Sequence, residues 1–270
     1  MKQPVGMLRC CSNFNVKKPT LPKRCEKRSS SEKAETTLIK KIGGKWMSGE
    51  MVGIFDEQGE RIGVRSRDEV HEKGYWHETF HCWFVEKTGQ EKFIYLQQRC
   101  HEKKDFPDLY DITAAGHIKS DENVGEAIRE IHEELGVPVR LEELVSLGVL
   151  RDEIALDHFI DREFCHTFLC ANHYRLEEFK LQKEEVSGLY KTSYDEFIAF
   201  ARGEINDLHL SGFDESQEYR IELEKRIDMA LCVPHSEGYF LQLAEKLSQM
   251  PLIQSENQQA GLTKPKKFRQ

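Results

Sequence analysis

The sequence predicts an α/β (α+β) chain built on a mixed β-sheet, on three observations. Short apolar runs separated by turn residues fill the stretch from Met51 to Leu96. One amphipathic helix follows and is stopped by Gly136 and Pro138. Strand-like runs then resume ahead of a helical C-terminal part. Strands on both sides of one well-defined helix bury their apolar surface by packing helices on a sheet.

Residues 1–46 stand apart. Lys2, Arg9, Lys17, Lys18, Lys23, Arg24, Lys27 and Arg28 occur there with no acid before Glu26, followed by Ser29-Ser30-Ser31. Two readings fit: a transit peptide, which would direct the protein to a mitochondrion or plastid, or a disordered basic tail on a cytoplasmic protein.

Met51–Phe55, the turn Asp56-Glu-Gln-Gly59 and Arg61–Val64 read as strand, turn, strand. Phe80–Val85 and Phe93–Leu96 are further strands, joined by a Lys87-Thr-Gly-Gln90 turn. A helix is expected over Asn123–Leu135, then strands over Leu144–Leu150 and Phe164–Tyr174 and a charged loop over Glu178–Lys183. Tyr194–Gly203 reads as a helix. So does Glu215–Leu231, where Tyr219, Leu223, Ile227 and Leu231 recur every four residues. A last helix runs from about Gly238 to Met250, and Ser255–Gln270 is polar tail. The expected organisation is a tail (1–46), a central domain (47–205), a C-terminal helical extension (206–252) and a disordered tail (253–270).

Of the 270 residues, 39% are hydrophobic and 32% charged, enough for a core under a wet surface. No apolar run approaches the roughly 18 residues of a membrane span. The net charge of −8 disfavours general nucleic-acid binding. None of the eight cysteines forms a Cys-x-x-Cys pair, which fits free thiols in a reducing compartment.

Chemistry concentrates in Arg129-Glu-Ile-His-Glu-Glu-Leu-Gly-Val137. Val124, Ile128, Ile131 and Leu135 step by four, three and four, an apolar helical face. Glu126, Glu130, Glu133 and Glu134 gather opposite, within an arc of roughly 100°. Their repulsion costs a few tenths of a kcal/mol per pair on an isolated helix. A solvated acidic face would account for the carboxylates alone. The preceding Ala114-Ala115-Gly116-His117 adds a glycine whose backbone can approach the same cation, and hard oxygen ligands suit Mg²⁺ or Mn²⁺.

Gly116, five residues, Glu122, then Arg129-Glu130-x-x-Glu133-Glu134-x-Gly136-Val137 resembles the signature box of the Nudix hydrolases. It departs in one place: six residues, not seven, separate Glu122 from Arg129. Strict register from Arg129 would put Asp121 and Ala115 at the Glu and Gly positions. A one-residue deletion where the loop meets the helix keeps the rest in phase. The resemblance implies an α/β/α sandwich with C-terminal helices, and an enzyme that splits a phosphoanhydride bond of a small organic diphosphate. Glu130, Glu133 and Glu134 would be catalytic and, with Gly116, metal-binding; Glu130 or Glu134 would be the base, and Arg129 would orient the glutamates. Arg99, Lys103 and Lys104 are candidates to hold phosphate, or else an exposed basic loop. Glu184 and Glu185 are either another acid pair near the metal or a solvated loop.

Asp56-Glu-x-Gly59, Glu69-Val-His-x-x-Gly74-x-Trp76-His77-x-Thr-Phe-His-Cys-Trp83 and Phe106–His117 are similar to the branch related to isopentenyl diphosphate isomerases. That likeness implies a second metal site of His71, His77, His117, Asp161 and Glu163. Read alone, His77 and His117 would also suit hydrogen-bonded, partly buried positions. Ala115 stands where the isomerases carry a proton-shuttling cysteine, and a methyl group carries no proton. Hydrolysis is the expected activity; isomerisation and diphosphate binding without turnover are the alternatives. Isoprenoid and nucleoside diphosphates both remain open as substrates, with no nucleic-acid or membrane partner expected.

Overall fold

The computed structural model describes residues 41–42, 45–46, 49–156, 159–217 and 219–250. Apart from the two-residue strands Lys41–Ile42 and Lys45–Trp46, the tails expected over 1–46 and 253–270 lie outside the described residues.

Eleven strands form one mixed sheet: β1 (Met51–Phe55), β2 (Arg61–Ser66), β3 (Trp76–Thr88), β4 (Glu91–Arg99), β5 (Tyr110–Ile112), β6 (Ala114–His117), β7 (Leu144–Leu156), β8 (Phe159–Ala171), β9 (Val186–Ser193), β10 (Asp207–Asp214) and β11 (Ile221–Asp228). The order is β11-β10-β9-β4-β3-β8-β7. The hairpin β1–β2 joins the start of β3, β5 pairs with β4, and β6 pairs with β3. The β3–β8 pairing is parallel over ten residues and all others are antiparallel.

Helices α1 (Arg67–Lys73), α2 (Arg129–Leu135), α3 (Tyr194–Ala201) and α4 (Glu237–Gln249) complete the fold. Alternation along β3 sends Phe80, Cys82 and Phe84 into a core with Ala127, Ile131 and Leu135 of the α2 side. Trp83 and Val85 join Phe197, Phe200, Leu243 and Leu247 of α3 and α4. The sheet is therefore covered on both faces, the α/β/α arrangement that the resemblance implied.

Local chemistry sets the boundaries near the site. Ser66 caps α1 by accepting from the Glu69 N–H at 3.4 Å, a contact worth ~1 kcal/mol when well formed. Gly136 ends α2 in the left-handed region at φ 70°. A Cβ there would lie 2.6 Å from the Lys180 carbonyl oxygen, so the chain stops and turns at a position no side chain fits.

Several expected elements differ. The helix expected from Asn123 begins as a single 3-10 turn over Glu126–Ile128, with the α-helix starting at Arg129. Asn123 is instead a turn residue, its Oδ1 accepting from the Gly125 N–H at 2.9 Å. The helix expected over Glu215–Leu231 is the strand β11, followed by a 3-10 turn at Met229–Leu231. Ile221, Leu223, Lys225 and Ile227 point inward at period two. Lys225, an inward position occupied by a charge, conceals that alternation. Among the described residues of the expected helical extension, Asp207–Asp214 and Ile221–Asp228 therefore add two strands to the same sheet, and Glu237–Gln249 adds one α-helix to its covering layer.

Candidate active site

Glu134 is buried, and its Oε2 accepts from the Ala115 N–H at 3.0 Å. Glu130 lies over Gly116, where a Cβ would come within 2.3 Å of the Glu130 carboxyl carbon. The missing Cβ of Gly116 thus lets the Glu130 carboxyl rest directly on the backbone. Burial pushes both carboxyls upward: Glu130 to about 7, against the pull of Arg129 and helped by Glu133 and Glu50, and Glu134 well above the ordinary range, helped by the charge of Glu130. Two desolvated acids side by side form a site in deficit of positive charge.

Arg129 supplies part of that charge. Its guanidinium donates to Glu122 through Nε (2.6 Å) and a terminal nitrogen (3.0 Å), and to Glu133 at 2.8 Å, and it pairs with Glu130 at 2.6 Å. Charge-assisted bonds of this kind fix geometry strongly, and here they tie Arg129, on the cavity wall, to three glutamates. Glu122, displaced by the shortened spacing, serves Arg129 and is absent from the cavity wall; Glu133 lines the cavity but is half-exposed.

A second cluster lies beside the first, linked by His117, the neighbour of Gly116. His71 Nε2 is 3.3 Å from His117 Nε2 and 3.6 Å from Asp161 Oδ1. His77 Nε2 is 3.5 Å from the same Asp161 oxygen and 3.8 Å from Glu163 Oε1. His77 Nδ1 lies 3.2 Å from the Tyr75 carbonyl oxygen. A carbonyl only accepts, so Nδ1 carries the proton and Nε2 presents a lone pair. That Nε2 and Asp161 Oδ1 are both buried without a hydrogen-bond partner. Burial pushes His71 down to about 3 and lowers His77 and His117, favouring neutral imidazoles. Burial raises Asp161 as well; at Glu163 it is more than offset by the His81 hydrogen bond and neighbouring imidazoles, which hold that carboxyl low. The imidazole nitrogens and carboxyl oxygens gather in two triads that share His77 (His71, His77 and His117; His77, Asp161 and Glu163), and with two of these atoms unsatisfied the donor set fits a divalent metal ion.

Both clusters open on a cavity of about 280 Å³. Arg99 and Lys103 line it; Arg99 donates to Asp111 at 2.9 Å and to the Asp105 carbonyl, and Lys103 pairs with Glu185. Lys104 does not join them. It is exposed and paired with Asp68 at 2.8 Å, away from the cavity wall. Glu185 also faces the cavity, whereas Glu184 contributes its carbonyl, which accepts from the Cys100 thiol.

Arg67, His81, Asp111, Asp152 and His235 line the same cavity and stand outside the residues selected by sequence. Arg67 sits between Glu50 and Asp105, at 3.9 and 3.5 Å. The one local signal for His235 is its place before Ser236, a serine that caps an amphipathic helix. Among the described residues, Cys82, Cys100, Cys165, Cys170 and Cys232 are free thiols, and no helix is long and apolar enough to cross a membrane.

Residues 52–210 match the family profile described as NUDIX domain. An uncharacterized Nudix hydrolase of Clostridium acetobutylicum is 42% identical over 195 residues, 72% of this chain and 95% of that protein. Nudix hydrolase 3 of Arabidopsis thaliana is 36% identical over 180 residues, 64% of this chain and 23% of that longer protein. The isopentenyl-diphosphate Delta-isomerase of Saccharopolyspora erythraea is 30% identical over 152 residues, 56% of this chain and 75% of that enzyme.

Proposed function

This chain belongs to the Nudix hydrolases, as a pyrophosphohydrolase, and on that premise we propose that it cleaves the phosphoanhydride bond of a small organic diphosphate with Mg²⁺ or Mn²⁺. One observation carries the metal-dependent reading: Glu130 and Glu134 are buried against Gly116 and Ala115 on the wall of the cavity that also holds the unsatisfied His77–Asp161 cluster.

Glu130, Glu134 and the Gly116 backbone would hold one ion, with Glu133 at the rim; His71, His77, His117, Asp161 and Glu163 would hold a second. Divalent ions held there would supply Lewis acidity toward phosphate oxygens and lower the pKa of a bound water. Glu134, bonded to the Ala115 N–H, or Glu130, paired with Arg129, would take the proton as water attacks phosphorus and the anhydride P–O bond breaks. Arg99 and Lys103 face the phosphates. Ala115, on β6 beside the cavity, offers no acid or base, which argues against isomerisation.

A phosphate-release screen over isoprenoid and nucleoside diphosphates, with and without Mg²⁺ and Mn²⁺, tests the proposal. Metal-dependent release from at least one class is expected. Conversion of isopentenyl diphosphate to the dimethylallyl isomer without phosphate release would overturn it in favour of an isomerase.

A further inference from the structure

The segment after β11 lies beyond the matched residues 52–210, yet it is pinned into the cavity wall. Cys232 bridges to Tyr110, and the Val233 N–H donates to the Tyr110 carbonyl at 2.8 Å. Three residues on, the Ser236 N–H donates to Asp152 Oδ1 at 2.7 Å. Pro234 restricts the backbone between these anchors, so His235 is held on a short, doubly tethered span. Its ring stacks on Tyr239 with centroids 4.4 Å apart.

His235 stands between two buried carboxylates. Its Nδ1 is 2.6 Å from Asp152 Oδ2, and its Nε2 is 3.9 Å from Asp111 Oδ1. The other Asp111 oxygen accepts from Arg99 at 2.9 Å. Arg99, Asp111, His235 and Asp152 therefore alternate in charge along one side of the cavity, provided by β4, β5, the C-terminal segment and β7. Without a cation at His235, the nearly inaccessible Asp111 and Asp152 would face each other across its place, and Asp111 would keep Arg99 and the Ile112 N–H, at 2.8 Å, as its partners. With it, Arg99 is held from two sides, by Asp111 and by the Asp105 carbonyl. These bonds use three of the five guanidinium N–H groups. The rest are available to an anion in the cavity.

We infer that His235 is a positioning residue for diphosphate binding, acting through Asp111 to fix Arg99, and that the C-terminal segment thereby completes the site. This rests on the diphosphate reading given above.

The test uses the full chain, with Mg²⁺ and inorganic pyrophosphate as the probe, binding measured by calorimetry and turnover alongside. His235→Asn keeps a donor for Asp152 and removes the ring nitrogen facing Asp111. It is expected to raise the pyrophosphate Kd about tenfold, the scale of one misplaced charge-assisted contact, with KM rising in step and kcat falling less. Arg99→Gln should weaken binding at least as much, and the double variant no further, because coupled residues are non-additive. An unchanged Kd in His235→Asn, or losses that add in the double variant, would overturn the inference. If His235→Asn fails to fold, Asp152→Asn is measured instead. It keeps an acceptor for Ser236, removes the charge beside His235, and is expected to raise Kd likewise; no change refutes. Wild-type protein that neither binds pyrophosphate nor releases phosphate fails the diphosphate reading itself, whereas wild-type binding with an indifferent His235→Asn fails only the inference.

Discussion

Gly116→Ala separates the chemistry of the glutamate helix from the stability of the fold. The added Cβ would stand 2.3 Å from the Glu130 carboxyl carbon and 2.4 Å from its Oε1. An ordinary carbon–carbon contact is ~3.5 Å, so the carboxyl must retreat by roughly 1 Å. The obstructing atoms are the end of a flexible side chain, and Gly116 is not among the residues with positive φ. The backbone therefore accommodates alanine, and the reduced freedom of the unfolded chain contributes about 0.4–1 kcal/mol of stability against the local crowding. Thermal unfolding should shift by no more than a few degrees. A ~1 Å misplacement of a reacting group costs on the order of 10²-fold in rate, or about 2.7 kcal/mol of barrier. Mg²⁺-dependent phosphate release should fall by that factor while the melting transition stays cooperative. Wild-type kcat and metal affinity in Gly116→Ala would show that Glu130 does not work from where it rests on Gly116. Loss of folding would show that the glycine serves the sheet instead.

Replacing Glu133 and Glu134 together by Gln keeps an acceptor for Ala115 while removing two charges, and should lower kcat by ~10³-fold or more; undiminished turnover in the same assay would remove these residues from the site. His77→Gln with Asp161→Asn should remove one of two Mn²⁺ equivalents seen by calorimetry and leave the other; two retained equivalents would disprove the second cluster as a metal site. Burial pushes His235 down, but Asp111 and Asp152 hold it up at about 10. A group raised in the folded state stabilises below its unfolded value of about 6.5, and that stability is lost as pH rises toward 10. Urea midpoints at pH 6 and 9.5 should therefore drop further for wild type than for His235→Asn, and equal drops would refute the buried imidazolium.

The parts of the site legible in the sequence are those whose chemistry repeats over short spacings. Glu130, Glu133 and Glu134 lie within two helical turns, where periodicity alone brings them together, and Gly116 precedes them by a short connection. The second cluster draws His71, His77, His117, Asp161 and Glu163 from α1, β3, β6 and β8, and only the likeness to the isomerase branch linked them in advance. His235 had neither support, being brought to Asp111 and Asp152 by long-range pairing. Among the elements, β11 misled because Tyr219, Leu223, Ile227 and Leu231 imitate a helical face. The inward position between Leu223 and Ile227 is Lys225, whose ammonium sits 4.8 Å from the Tyr190 ring centre and bonds Gln98. An edge strand with a charge turned inward does not show a clean alternation. Lys104 misled for the opposite reason: adjacency to Lys103 says nothing about direction in a turn.

The parallel pairing of β3 with β8 has a consequence for how this chain can change. Glu163 sits opposite His77 on one side and opposite Asp152 on the other, so three strands contribute one transverse line of polar groups. Side chains alternate faces along a strand, and inserting or deleting a single residue reverses everything beyond it. A one-codon insertion early in Trp76–Thr88 or Phe159–Ala171 would turn His81 or Glu163 away from the cavity and drive an apolar neighbour into it. The Gly89-Gln90 turn carries no such constraint, whereas the loop through Glu178–Lys183 is tied to the glutamate helix by the Lys180 and Gln182 N–H groups, which donate to the Leu135 and Glu134 carbonyls at 2.9 Å. Descendants of this gene can lengthen at that hairpin turn and still hydrolyse, but the two central strands are fixed in length as firmly as the glutamates are fixed in kind.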